Sequence, residues 1–339
     1  RRFNPADVEG FQRYLKVSEE AFRIGFGELG DRPFSSWRDM VRVVPDILRL
    51  QGYRSVYSLV SRFVKDPRLR IVLSFHPLLI GGNPFAVSAV YALVSHLERH
   101  WGVFSAMGGT GSIVDGMVDL VEGQGGCFRY GAEVAQIIVE RGRATGVELS
   151  NGERVTADVV VSNADTAWTH RHLLPETVRR RWTNRRLERS RYSNGLFVWY
   201  FGTKRQYPDV PHHTISLSAR YKELLKDIFD HKTLADDLSL YLHRPTPTDP
   251  SLAPAGCDAF YALAPVPHLD AGVDWVEHAE TYRKTISARL GETLLPGLEA
   301  NIVSSRVATP QDFHDRLCAY KGAGFGLEPT LTQSAWFRP

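Results

Sequence analysis

Cysteine is scarce in this chain: three residues in 339, Cys127, Cys257 and Cys318, odd in number and widely spaced. They supply neither a disulfide framework nor a zinc signature, and they point to a reducing compartment. Charge of one sign is scarce too, with 41 Lys and Arg against 38 Asp and Glu, and a net +3 does not by itself argue for nucleic acid. No Gly-x-Ser-x-Gly elbow is present, so serine hydrolysis has no anchor. No His-Glu-x-x-His or Cys/His spacing appears, and no metal centre is expected. His212 and His213 sit beside Asp209, but neighbours on a strand point to opposite faces, which argues against a shared metal. No apolar segment follows the basic start, so no targeting signal is read. An initiator methionine is lacking as well. The chain opens Arg1-Arg2-Phe3-Asn4 and stops at Trp336-Phe337-Arg338-Pro339, which leads us to expect a piece of something longer.

What is present is an ordinary globular mixture, 43% apolar and 23% charged, with length for about two domains. The stretch from Ile71 to Leu97 has no Asp, Glu, Lys or Arg and is long enough to span a bilayer. It contains Pro77 and the turn Gly81-Gly82-Asn83-Pro84, so two short apolar helices fit it better than one span. Upstream, Asn4 is an N-cap with Pro5 at the first helical position. Val8, Phe11, Leu15 and Phe22 then recur near the helical period and predict the apolar face of a helix. Ser36 opens a second helix with Asp39 as a box-like cap. Asp39 and Arg42 share a face of it. They are either a surface ion contact of about 0.2–0.5 kcal/mol or an acid/base carboxylate held by a guanidinium.

The texture changes at Met107. A glycine loop, Gly108-Gly109-Thr110-Gly111, opens a helix and could face an anion, although it lacks the Lys-Ser/Thr of a phosphate loop. A β block follows over 133–139, 144–149 and 158–162, with a hairpin turn at Asn151-Gly152. Val159-Val160-Val161 predicts a strand buried on both faces. Residues 167–191 look helical and basic. The seven arginines of 179–191, with Trp182 among them, suit first a solvated face, then anionic lipid, then nucleic acid. Strands are expected at 195–202 and 259–266, and a helix at 276–294. A second glycine cluster, Gly322 to Gly326, has its third glycine one place too early for a dinucleotide fingerprint and opens no helix.

Several segments, in order along nearly the whole chain, resemble bacterial phytoene desaturases. They are Leu73-Ser74-Phe75-His76, Gly81-Gly82-Asn83-Pro84-Phe85, Glu98-Arg99-His100-Trp101-Gly102-Val103, the glycine loop, and Ser162-Asn163-Ala164-Asp165. Further on come Leu240-Tyr241-Leu242-His243, Ser251-Leu252-Ala253-Pro254, Ala264-Pro265-Val266-Pro267-His268-Leu269 and the closing 331–339. The resemblance implies an α/β (mixed α+β) flavoprotein of the amine-oxidase-like superfamily, part of a discontinuous Rossmann-like FAD domain joined to a mixed-sheet substrate domain. It implies a helical lipophilic region over 1–105, an FAD-domain insert over 106–165, a substrate domain over 166–320, and a return towards the FAD domain over 321–339. Both flavin-gripping ends of the family are expected to lie outside this chain, so the isolated piece is expected to be inactive.

By the same resemblance Val134, Asn163, Ala164, Asp165, Gly108 and Gly109 are cofactor contacts, and Asp39 and Arg42 are active-site groups. Ala106-Met107 departs from the Pro-Arg of some relatives, which leaves a positive charge there in doubt. The implied reaction is FAD-dependent desaturation of phytoene towards neurosporene or lycopene, by hydride transfer to flavin and loss of a neighbouring proton. The implied setting is cytoplasmic and peripheral to an anionic membrane surface, with quinone or oxygen as acceptor and no nucleic acid. The alternatives are a non-catalytic lipid-binding protein on the same fold, or a related carotenoid desaturase, isomerase or oxidase.

Overall fold

The computed structural model describes residues 3–338 and divides into two compact units. The first runs to Phe104 and takes in Arg191–Ser193 and the chain from Leu327 onwards; the second holds Ser105–Ser190 and Asn194–Gly326.

The first unit is helical: α1 (Val8–Phe22), α2 (Trp37–Arg49), α3 (Val56–Val60), α4 (Pro67–Val72) and α5 (Leu93–Trp101). Asn4 Oδ1 accepts the Ala6 N–H at 3.1 Å, starting the turn that leads into α1. The buried line of α1 is Gly10, Tyr14, Ser18 and Ala21, whereas the predicted Val8, Phe11, Leu15 and Phe22 flank it half-buried. Close approach explains the difference. A Cβ at Gly10 would meet the Phe63 carbonyl oxygen at 1.8 Å, so only glycine lets the helix lie against that backbone. Small and hydrogen-bonding side chains complete the contact. Tyr14 donates to Leu73 O at 3.2 Å and is hydrogen-bonded to Ser95 Oγ at 2.9 Å, and Ser18 Oγ donates to Ala92 O at 2.7 Å. The uncharged 71–97 stretch folds into short helical turns around a left-handed Gly81. Among the described residues no helix is long and apolar enough to cross a membrane.

The second unit contains two sheets. After α6 (Thr110–Gly123), strands β1 (Val134–Glu140), β2 (Arg143–Leu149) and β3 (Arg154–Thr156) form an antiparallel meander. The expected strand at 158–162 is absent. No described strand pairs with it, and Val159 and Val161 are 74% and 85% exposed. An apolar run of the right length makes a strand only when neighbours satisfy its backbone. The basic stretch breaks into α7 (Thr166–Trp168), irregular turns and α8 (Asn184–Arg189). Trp182 there is buried, with the Arg186 guanidinium 4.0 Å over its ring, so the aromatic is part of the packing rather than offered to a partner.

The larger sheet contains β4 (Gly195–Thr203), β5 (His213–Ser216), β6 (Leu240–His243), β7 (Asp258–Val266) and β8 (Ile302–Ala308), with α9 (Tyr221–Lys226), α10 (Trp275–Thr293) and α11 (Pro310–Leu317) around it. Its order is β5-β6-β7-β4-β8, and every pairing is antiparallel. Phe197, Trp199 and Phe201 alternate along β4 with Phe260, Ala262 and Ala264 on β7, and α10 covers them with Tyr282, Ile286 and Leu290. The strict alternation of β7 is the period-2 pattern of a sheet with one core face.

Candidate functional site

The opposite face of this sheet is laid out by register. His213 faces His243, His243 faces Tyr261, Tyr261 faces Tyr200 and Tyr200 faces Arg306, one row across five strands. The next row on the same face runs Ile215, Tyr241, Leu263, Val198 and Ala308. The row brings tyrosine rings together: Tyr200 and Tyr261 centroids are 5.8 Å apart, and Tyr241 and Tyr261 are 5.6 Å apart. The His243 ring sits 4.5 Å from that of Tyr261. Beyond Tyr200 the sheet and α11 enclose a pocket of about 330 Å³ lined by Tyr200, Arg306, Ala308, Phe313 and Leu317, with Asp312 and Arg316 at its wall.

Burial shapes the chemistry of this face. It pushes the Tyr241 and Tyr261 hydroxyls above the ordinary phenol range, so both stay neutral. Burial, then the charges of His212 and His213, hold His243 down to about 4. The surface is therefore aromatic, weakly polar and uncharged at neutral pH along most of its length, with Arg306 at one edge. Such a surface can bind a long apolar molecule by stacking and area burial, at about 0.8 kcal/mol per CH₂. Sequence reasoning missed these residues. The alternating pattern in Leu240-Tyr241-Leu242-His243 and in Phe260-Tyr261-Ala262 was the available signal, since residues two apart share a face.

The glycine loop meets the turn after β6. Gly108 donates its N–H to Asp249 Oδ2 at 2.6 Å, so that amide is already filled by a carboxylate of the chain. Gly109, in a left-handed conformation that suits glycine, is the N-cap of α6, and a Cβ there would touch Leu252 at 3.7 Å. Asp165 caps α7 by accepting the Trp168 N–H at 2.9 Å, and burial raises its carboxyl above the usual range despite backbone donors. Asn163 and Ala164 just before it are exposed, and Val134 is half-buried at the start of β1. β1 packs against the turn at 169–173, a few residues beyond Asp165. As a donor set, Val134 and 163–165 offer neutral backbone groups and a weakly acidic carboxyl. In the glycine loop the Gly108 amide is taken by Asp249, so the loop does not present an open cradle for pyrophosphate.

Asp39 and Arg42 lie in the helical unit. Asp39 completes a capping box: its Oδ2 accepts from Ser36 N and Ser36 Oγ, both at 2.8 Å. These Ser36 donors, and then Arg42, hold the carboxyl below its ordinary value, so it is ionised at neutral pH. Arg42 Nη1 stands 3.6 Å from Asp39 Oδ1 and is largely exposed. The same helix presents Trp37, Val41, Val44 and Leu48 to solvent at helical spacing, an uncovered apolar stripe beside arginines.

His212 and His213 converge despite being adjacent. His212 precedes the strand rather than belonging to it, and the two rings stack with centroids 4.3 Å apart.

Residues 2–339 match the model of a family described as flavin containing amine oxidoreductase. The chain is 48% identical over 339 residues to the lycopene-forming phytoene desaturase of Pseudescherichia vulneris, covering all of this chain and 69% of that protein. It is 49% identical over 343 residues to the neurosporene-forming phytoene desaturase of Cereibacter sphaeroides, covering all of this chain and 66% of that protein. A zeta-carotene-forming phytoene desaturase of Myxococcus xanthus is 36% identical, with 65% of its length covered. Thus the chain spans about two thirds of the length of these relatives. In fold it is similar to a putrescine oxidase structure, with a TM-score of 0.57 at 15% identity over 90% of this chain and 61% of that one. An oxidoreductase from Methanosarcina mazei superposes with a TM-score of 0.55 at 18% identity, covering 81% of this chain and 61% of that one.

Proposed function

The chain belongs to the flavin-containing amine oxidoreductase family, and from that premise we propose that it is part of a FAD-dependent phytoene desaturase that introduces double bonds into a C–C chain. The observation that carries the reading is identity of 48–49% along the whole chain to phytoene desaturases. When bound, FAD accepts the two electrons that leave with an allylic hydrogen. The chain's own residues supply the rest. Val134, Asn163, Ala164 and Asp165 fit the adenosine portion of the cofactor. The tyrosine face of β4, β6 and β7 packs a polyene without a polar handle and keeps water from it. Asp39 is the candidate proton acceptor. Its Oδ2 is taken by Ser36, so a substrate proton arrives at Oδ1, where Arg42 stands 3.6 Å away and keeps the carboxylate ionised.

A lipid-dissolved substrate also asks for a route from the bilayer. The exposed stripe Trp37, Val41, Val44 and Leu48, with Arg38, Arg42 and Arg49 on the same helix, suits shallow insertion at an anionic membrane surface. Quinone or oxygen is the proposed final electron acceptor.

The test is the full-length protein loaded with FAD, given phytoene in liposomes and an acceptor, with carotenes resolved by chromatography. We expect products with more conjugated double bonds. Phytoene recovered unchanged by a flavin-loaded enzyme would sink the proposal.

A further inference from the structure

At the edge of the five-stranded sheet the aromatic row ends in a cluster of imidazoles to which the desaturase reading gives no role of its own. His213 opens β5 and faces His243 on β6, and His212 comes just before them. One ligand atom from each of the three imidazoles lies within 4.8 Å of the others. His212 Nε2 and His243 Nε2 are already 2.9 Å apart. Tetrahedral coordination at Zn–N bonds of about 2.0–2.1 Å places donor atoms about 3.3 Å apart. One pair is therefore at coordinating separation, and modest side-chain rotation closes the rest.

The surroundings suit ligation as well. His212 Nδ1 is bonded to Thr248 Oγ1 at 2.5 Å, and His213 Nδ1 to the Tyr241 hydroxyl at 2.6 Å. An outer partner on the second ring nitrogen is what orients a metal-binding imidazole and fixes its tautomer. The backbone beneath is stiff. Arg244, next to His243, forms two bonds to the buried Asp258 at 2.9 and 3.1 Å and a third to Val210 O at 2.8 Å. His212 and His243 are half-buried and His213 is exposed, so an ion reaches the site from solvent and keeps water in the remaining position.

We propose that His212, His213 and His243 form a binding site for a divalent ion of the zinc and copper class, which ties edge strand β5 to β6. An all-imidazole donor set selects these ions over magnesium and calcium, which prefer oxygen. The proposal stands on the sheet geometry alone and does not depend on the desaturase reading.

The experiment uses the full-length, flavin-loaded protein after treatment with a chelator. Titration with zinc chloride is expected to show one tight equivalent per chain and a rise in Tm, with no rise from magnesium chloride. The double variant His213→Gln with His243→Gln is expected to lose both while retaining flavin. Tyr241→Phe, which removes the outer partner of His213, is expected to weaken zinc about 10-fold. Copper loading of the unsubstituted protein gives a readout that needs no variant: its electron paramagnetic resonance spectrum should carry splitting from several imidazole nitrogens. No zinc equivalent, an unchanged equivalent in the folded double variant, or a copper spectrum of oxygen ligands alone would each overturn the site.

Discussion

The two faces of the five-stranded sheet come from the same strands and do opposite things. Along β4, Phe197, Trp199 and Phe201 are buried beneath α10, while Tyr200 between them is 47% exposed. Along β7, Phe260 and Ala262 are buried while Tyr261 joins the open row. Period 2 lets one strand give alternate residues to the core and to the open face. Because the core face holds the sheet, the tyrosines opposite are less constrained by packing.

Adjacent substitutions on β4 break this comparison most sharply. Trp199 is fully buried, stacks on Phe201 with ring centroids 4.1 Å apart, and donates its indole N–H to Ser305 Oγ at 2.8 Å. Trp199→Ala is expected to cost about 3–5 kcal/mol of unfolding free energy by leaving a cavity. Tyr200→Ala, one residue on, is expected to change stability by less than about 0.5 kcal/mol, as an exposed site does. It should instead raise the KM for phytoene. Urea unfolding and carotene assays on the two full-length variants check the contrast. Equal destabilisation would mean that Tyr200 belongs to the core.

A titration probes burial beside β7 with a somewhat smaller effect. His268, just past β7, is buried, and its Nδ1 accepts the Asp270 N–H at 3.3 Å. Burial is the main cause that pulls its value from 6.5 down to about 4, against the opposing charge of Asp270. Since the unfolded chain binds this proton more readily, the contribution is complete above pH 6.5 and is lost as pH falls towards 4. Its size is of order 3 kcal/mol. His268→Gln, which keeps an acceptor without the titration, should flatten the decline in stability between those pH values. Parallel curves for both proteins would remove His268 as the cause.

How much was legible depended on the kind of signal. Local chemistry was readable: the Asn4 cap, the Ser36–Asp39 box, the strand at 195–202 and the helix after Trp275 follow from neighbours in sequence. Contacts across distance were not. The burial of Gly10 is set by the Phe63 backbone, and the row from His213 to Arg306 is set by register among strands far apart in sequence, Tyr200 pairing with Arg306. The same blindness explains Val159–Val161, where an apolar triplet says nothing of whether a neighbouring strand exists. His212 and His213 depart from the expected opposite faces for a subtler reason, their rings stacking at 4.3 Å. The opposite-faces rule holds inside a strand, and His212 lies outside it.

The smallest effect on the fold is expected at Asp39, where the helical unit poses the same question as the sheet: does an atom hold structure or meet substrate? Its two carboxylate oxygens divide the tasks, since Oδ2 takes both Ser36 donors and Oδ1 faces Arg42. Asp39→Asn keeps an acceptor for the capping box but removes the charge and the ability to take a proton. The melting curve should therefore stay in place and flavin content should not change. If Asp39 receives the substrate proton, turnover should fall by about 10²-fold or more, the usual contribution of a general base. The remaining rate should also lose the low-pH limb that protonation of Asp39 would impose. Unchanged turnover with flavin bound would leave Asp39 as a helix cap, and would move the search for the proton acceptor to the tyrosine face or to solvent.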